Sequence, residues 1–280
     1  MIAGPIRIYA QHDKEVGAIL ALTQYMGDLT HTSGIHLKSG NYGGGILFRY
    51  YFNPRIDFKA NVFYGYVSGS DWDDNPHTKG IPYKRNLSFK SHILDISTQI
   101  EINILPFISG HRKRNWAPYI FGGIAVFNFN PQAEYLGKWY DLQPLGTEGQ
   151  GTLWGGPKYK LTAFSIPYGI GFKYGFKRNG NWRSRINLEM WNIGFELSQR
   201  KTFTDHLDDV GGYYPSSLSI FGNNDIAKAL CDRAGERGNT PRLVEGSTTT
   251  PRGNPANNDL YMWYGITITK TFRPSRCKGF

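Results

Sequence analysis

The side chains with the means to do chemistry form a few separable groups. Asp205, Asp208 and Asp209 surround His206, a set of oxygen and imidazole donors able to hold a divalent cation. Their spacing is not that of an EF-hand loop, so an ordinary charged loop is the expected reading. Asp71, Asp73 and Asp74 with His77 form a second acidic patch, again without a ligand pattern. Ser88, Ser91 and His92 have the residue types of a lipid-modifying hydrolase or acyltransferase. Adjacent strand positions face opposite ways, however, so Ser91 and His92 cannot meet directly. Gly43-Gly44-Gly45 lacks the Lys-Ser/Thr of a phosphate loop and leads into a strand. No catalytic residue, metal or cofactor is therefore expected, and the chain reads as non-enzymatic.

Charge forms the next group. The net charge is +10, and it is unevenly spread. Arg55, Arg112, Lys113, Arg114, Lys177, Arg178, Arg183, Arg273, Arg276 and Lys278 fall on short connections or the chain end, with few acidic residues among them. Such a rim attracts anionic lipid headgroups or an acidic protein partner; a solvated, positively flanked membrane edge is the plain alternative. Nucleic acid is excluded, because these cations ring a set of turns rather than line a groove with exposed aromatics. A further set alternates within strand-like runs: Arg49, Asp57, Lys59, Asp95, Glu101, Lys173, Arg185, Glu189 and Glu196. The two cysteines, Cys231 in a long loop and Cys277 at the opposite end, are expected to remain separate thiols.

These groups need a scaffold. No stretch approaches the ~20 apolar residues of a spanning helix, but barrel strands alternate and average to weak hydropathy. Period-two alternation is clear in 93–104, where Asp95, Ser97, Gln99, Glu101 and Asn103 oppose Leu94, Ile96, Thr98, Ile100, Ile102 and Ile104. In 58–66 and 164–176 the apolar face is bulky and aromatic, while the other carries Asp57, Lys59, Asn61, Phe63, Ser165, Gly169, Gly171 and Lys173. Bulky outside with small or charged inside suits a lipid-facing barrel with a polar lumen.

Eight such runs occur, at about 14–26, 42–53, 56–68, 88–104, 117–129, 160–177, 183–199 and 258–273. Short or moderate connections (53–55, 105–116, 177–182) alternate with long ones (27–41, 69–87, 130–159, 200–257). The expected fold is all-β, an eight-stranded antiparallel transmembrane β-barrel with long extracellular loops and short periplasmic turns, in the outer membrane. A barrel this narrow is filled by its own side chains, so the inward charges should form a closed plug rather than an ion path. In the seventh run Ile186, Leu188 and Met190 differ in parity from Ile193, Phe195 and Leu197, which calls for a bulge near Trp191. The loop 200–257, Gly-, Asn-, Pro- and Thr-rich over 245–258, is expected to be partly mobile.

Ile8-Tyr9-Ala10 before Gln11 reads as the end of a secretory signal peptide cleaved after Ala10, a short strand or arm being the alternative. The expected organisation is a residual signal peptide over 1–10 and one barrel domain over 11–280.

Several segments together carry a resemblance. They are Tyr25-Met26-Gly27-Asp28-Leu29, Arg49-Tyr50-Tyr51-Phe52-Asn53-Pro54, Arg85-Asn86-Leu87-Ser88-Phe89 and Phe127-Asn128-Phe129-Asn130-Pro131-Gln132-Ala133. Trp139-Tyr140-Asp141-Leu142-Gln143-Pro144-Leu145-Gly146-Thr147-Glu148-Gly149-Gln150-Gly151, Ser165-Ile166-Pro167 and 203–210 complete it. In these the chain resembles the PorG family of the type IX secretion system, outer-membrane barrels also grouped as a family of unknown function. The resemblance implies a part in protein export, with contact to a periplasmic ring built from the lipoprotein PorK and its partner PorN. No family motif fixes that contact; the basic rim, with Arg112-Lys113-Arg114 at its centre, is where docking is expected. A free-standing adhesion or small-molecule-binding barrel, working through its outer loops, is the alternative.

Overall fold

The computed structural model describes residues 13–30, 40–71, 85–152, 155–178, 189–254 and 256–273, with backbone alone for Lys177, Arg178 and Glu189. Eight strands close a cylinder: β1 (Lys14–Met26), β2 (Asn41–Asn53), β3 (Ile56–Ser70), β4 (Ser88–Asn103), β5 (Trp116–Tyr135), β7 (Thr162–Arg178), β8 (Glu189–Thr202) and β9 (Leu260–Phe272). Each pairs antiparallel with its neighbour in sequence, and β1 with β9 closes the ring. A ninth, β6 (Lys138–Asp141), extends β5 as a hairpin outside the ring. Closure leaves the barrel no open edge, so every strand's backbone can bond laterally, as a hydrocarbon surrounding demands.

Alternation sorts the side chains by face. Outward positions carry Val16, Leu20, Ile46, Ile96, Ile120, Ile124, Ile170, Phe195 and Ile266, all exposed. This aliphatic belt is bounded by aromatics: Phe52, Trp116, Tyr174 and Phe272 towards the periplasmic turns, Tyr42, Tyr64 and Phe164 towards the long loops. An apolar band between two aromatic girdles is the exterior of a lipid-embedded barrel. Cations appear at its edges, with Lys90 4.6 Å from the Tyr66 ring and Lys270 5.7 Å from the Trp191 ring. Inward positions alternate large with absent side chains. At Gly171 a Cβ would lie 2.2 Å from the Tyr119 ring, so glycine makes the room that Tyr119 occupies.

Several sequence expectations need correction. The strand expected to end at 129 continues to Tyr135, turns through Leu136 and Gly137 with positive φ, and returns as β6, followed by the short helix α1 (Leu142–Leu145). The outward signal stops at Asn128, where the strand leaves the lipid. The inward one continues through Phe127, Phe129 and Ala133, all buried. No bulge occurs near Trp191, because pairing runs unbroken from Glu189 to Thr202 on the β7 side. The residues 183–188 that suggested one lie outside the described set.

The long connection after β8 has structure of its own in its first part, 203–237. It contains 3-10 turns at Leu218–Phe221 and Ala234–Arg237 and the helix α2 (Asp225–Cys231). Leu207, Val210 and Leu230 from this segment pack with Tyr25, Phe89, Phe129 and Tyr261 at the strand ends. The helical turns and the buried apolar side chains fall within 203–237; the Gly-, Asn-, Pro- and Thr-rich stretch 245–258 carries no helix or strand and, Arg252 apart, is half-buried to exposed among its described residues.

Ile170 lies mid-strand on the outer face, 58% exposed. Ile170→Arg should cost ~2–4 kcal/mol for a barrel folded into a bilayer, the depth-dependent cost of a cation facing lipid. Urea titration of folding into lipid vesicles reads it, and an unchanged midpoint would mean that this face meets water.

Candidate functional site

The lumen is filled by an ion lattice in its periplasmic half. Glu101 on β4 sits at its centre. It receives Nε of Arg49 on β2 at 2.9 Å, Nζ of Lys59 on β3 at 3.2 Å and Nζ of Lys173 on β7 at 3.1 Å. Arg49 also reaches Glu15 on β1 at 2.7 Å, Lys59 reaches Glu196 on β8 at 2.7 Å, and Lys173 pairs with Asp57. Neutral donors fill the remaining valences: Tyr51 and Asn192 on Glu15, both at 2.7 Å, and Tyr119 on Glu196 at 2.9 Å. A second pair, Arg200 with Asp95 at 3.3 Å, lies further out, with Tyr261 donating to Asp95 at 2.7 Å. The Arg200 guanidinium covers Trp263, which stacks on Phe63. Buried charges are tolerable only when paired and hydrogen-bonded, and this lattice joins strands β1, β2, β3, β4, β7 and β8 across the lumen.

Of the lumen positions read from sequence, Arg49, Asp57, Lys59, Asp95, Glu101, Lys173 and Glu196 are all buried inside the cylinder. Arg185 and the Glu189 side chain lie outside the described residues. Glu15 and Arg200 were missed. Glu15 shares parity with inward Ile19 and Ala21, a signal that was available; Arg200 lay one residue past the expected strand end.

The outer mouth is closed by the 203–257 cap and its neighbours. Arg252 bonds Glu148 at 3.2 Å, the Asp209 carbonyl and the Cys231 carbonyl at 3.3 Å. Arg85 holds Asp71 at 2.7 Å and the Arg252 carbonyl at 2.5 Å, knitting three connections together. The acidic cluster of the sequence is taken apart. Asp208 shares the Tyr25 hydroxyl with Asp259, at 2.6 and 2.7 Å, whereas Asp209 accepts from Thr147 and from Tyr159 at 2.6 Å. His206 stacks on Tyr159 at 4.6 Å, and burial lowers its pKa. No group of His, Cys, Asp or Glu among the described residues is arranged to hold a metal ion. Asp73, Asp74 and His77 lie outside those residues. Ser91 points inward and is buried, with His92 on the other face against Tyr64 and Tyr66. Cys231 is a buried free thiol closing α2, its pKa pushed up to about 12 by burial; Cys277 is outside the described residues.

The periplasmic rim is built from turns. Asn53 Oδ1 accepts from the Arg55 and Ile56 amides at 2.8 and 3.0 Å, and Arg55 donates to the Ile104 carbonyl at 2.9 Å. Residues 104–115 do not hang free. Phe107 turns into the mouth and stacks on Tyr51, 5.9 Å between centroids, with Lys173 over its ring. Ser109 donates to Asn192 at 2.6 Å. His111 Nδ1 accepts from the amides of Lys113 and Arg114 at 3.0 and 3.1 Å, fixing the turn that exposes Arg112, Lys113 and Arg114. Arg273 clamps Asp13 at 2.9 and 2.5 Å. The side chains of Lys177 and Arg178, and Arg183, Arg276 and Lys278 entirely, are outside the described residues.

A closed antiparallel cylinder with a lipid-facing exterior and a packed, charged interior defines a transmembrane β-barrel, of the small outer-membrane type. The chain belongs to the family described as Domain of unknown function (DUF6089), whose model matches residues 2–141. No curated protein matches it significantly. Solved structures that match include Ail, the attachment invasion locus protein of Yersinia pestis, in complex with the heparin analogue sucrose octasulfate. It is 9% identical, with a TM-score of 0.38, over 94% of this chain and 99% of that one. The N-terminal β-barrel domain of Pseudomonas aeruginosa OprF matches at 9% identity and a TM-score of 0.35, over 93% of this chain and 97% of that one.

Two outcomes are expected. Glu101→Ala leaves three buried cations short of a partner, so stability should fall by ~3–5 kcal/mol. The urea midpoint in detergent micelles reads this, and a midpoint within error of the parent would remove the lattice from the account of stability. In the cap, burial raises Asp259 to about 8, as the like charge of Asp205 also does. A raised carboxyl makes a contribution that is full below the unfolded value, ~3.9, and is lost as pH climbs through about 8. Protease protection of the 203–257 segment should therefore be greater at about pH 6 than at about pH 8.5, and Asp259→Asn should reduce that difference, Asp205, raised to about 8 chiefly by burial, keeping part of it. Protection that rises with pH would reverse the assignment.

Proposed function

We propose that this barrel is a non-enzymatic docking component of the type IX protein secretion system, tying the periplasmic PorK/PorN ring to the outer membrane. Two features support the reading: the segments that resemble the PorG family, and an interior packed at both ends. A lumen crossed by paired charges is filled by its own side chains, which points to work at the surfaces rather than in the bore. The observation that carries the proposal is the contrast between those surfaces. On the outer side Arg85 and Arg252 are buried against carboxylates, and exposed Lys138, Lys158, Lys160 and Lys201 lie among exposed Glu134, Asp141, Asp225 and Glu245. On the periplasmic rim Arg55, Arg112, Lys113 and Arg114 are exposed, with no exposed carboxylate among the described rim residues. Unneutralised cations on rigid turns steer an acidic partner and fix its orientation. Outer-membrane lipid surrounds the band, and anionic headgroups compete for the same rim.

The test is co-purification in mild detergent. Changing Arg112, Lys113 and Arg114 together to Glu should lower ring association by about tenfold or more at ~0.15 M salt, with the barrel still folded. Undiminished co-purification would remove the rim, and with it the docking role.

A further inference from the structure

A cavity of about 400 Å3 opens at the periplasmic mouth, between the β2–β3 turn, the β4–β5 connection and the ends of β1 and β9. Its volume falls in the low part of the range for ligand sites, ~300–1,000 Å3, room for one or two side chains. The lining divides by chemistry. Phe107 and Tyr51, stacked on one another, with Pro54 and Ile108, make an apolar portion; Arg114 and Arg273 supply cations.

The two arginines differ in what they are free to do. Arg273 is held by both oxygens of Asp13. The Arg114 side chain is exposed and has no hydrogen-bond or ion-pair partner among the described residues. Its backbone, by contrast, is pinned: the amide donates to His111 Nδ1 at 3.1 Å and the carbonyl accepts from the Ile108 amide at 2.7 Å. A rigid turn thus presents an uncommitted guanidinium beside an apolar hollow, with Arg55, Arg112 and Lys113 nearby on the same rim.

We infer that this cavity is a receptor for an acidic peptide segment of a periplasmic protein. It would take one aromatic or aliphatic side chain against Phe107 and Tyr51 and an adjacent carboxylate on Arg114. The inference deepens the docking reading and rests on it for the partner's location. Charge complementarity favours the occupant: Asp13, already engaged by Arg273, is the one carboxylate among the described lining residues. A planar guanidinium matches a carboxylate bidentately, and a buried aromatic anchor beside such a pair is a common source of binding energy.

The test uses the full chain folded into phosphatidylcholine nanodiscs and two fluorescent acidic hexapeptides, one with a central phenylalanine and one with alanine instead. The phenylalanine peptide should bind about tenfold tighter, a difference of ~1.4 kcal/mol. Ile108→Trp, which crowds the apolar portion, should abolish that preference, and Arg114→Glu should weaken both peptides more than a rim charge outside the cavity does. Arg112→Glu, outside the cavity, should weaken both peptides alike. Equal binding of the two peptides, or a preference that survives Ile108→Trp, overturns the inference. So does displacement of both peptides to the same degree by phosphatidylglycerol, which would make lipid headgroups the rim's ligand. Heat-modified gel migration confirms that each variant is folded. Ring co-purification with Ile108→Trp separates the two readings. If it persists while the triple Glu variant loses the ring, docking stands without the cavity. If the triple variant keeps the ring, docking fails whatever the peptides do.

Discussion

Glu101 has to satisfy three cations at once, and much of the architecture can be read as the means of letting it. A carboxylate sealed from water costs several kcal/mol unless its oxygens are fully engaged. Arg49, Lys59 and Lys173 reach it from three different strands, and their own second partners, Glu15, Glu196 and Asp57, come from three more positions around the ring. This requires a cylinder narrow enough for side chains to cross it, which an eight-stranded barrel provides. It also requires glycine at positions such as 171, where Tyr119 needs the space.

The two ends finish the seal by different means. At the periplasmic mouth a single aromatic, Phe107, folds in from the β4–β5 connection and rests on Tyr51 beneath Lys173. At the outer mouth four connections fold over one another around Arg85, Arg252 and an apolar cluster. The outer end is therefore a small folded layer that buries two arginines against carboxylates and exposes charges of both signs, whereas the inner end is a ring of turns whose exposed charges, among the described residues, are cations. That difference in polarity bears on function more than the barrel itself, whose architecture is compatible with many roles.

The barrel was legible because membrane strands obey a strict period of two, and because lipid and lumen demand opposite residue types. Strand number, closure and the alternation of short and long connections all follow from that rule. Legibility ended where one of the two solvents changed. Beyond Asn128 the outer face of β5 meets water, so its outward positions turn polar and the strand disappears from the pattern while Phe129 and Ala133 continue inside. The cap was opaque for a different reason. Asp208, Asp209 and Asp259 are ordered by Tyr25, Thr147 and Tyr159, partners distant in sequence. No local spacing encodes such contacts, and a motif search for metal ligands groups residues that the fold separates.

The lattice also bears on how the molecule is made. Glu15 stands near the start of β1, yet it accepts from Thr269 and Thr271 on the last strand as well as from Arg49. Any nascent cylinder lacking its first or final strand holds charges in a hydrocarbon slab with their counterparts still in water. Partial insertion is penalised at each stage, and the deficit is cleared only by the last seam. Such a chain favours joining the membrane as one cooperative unit, shielded until the seam shuts.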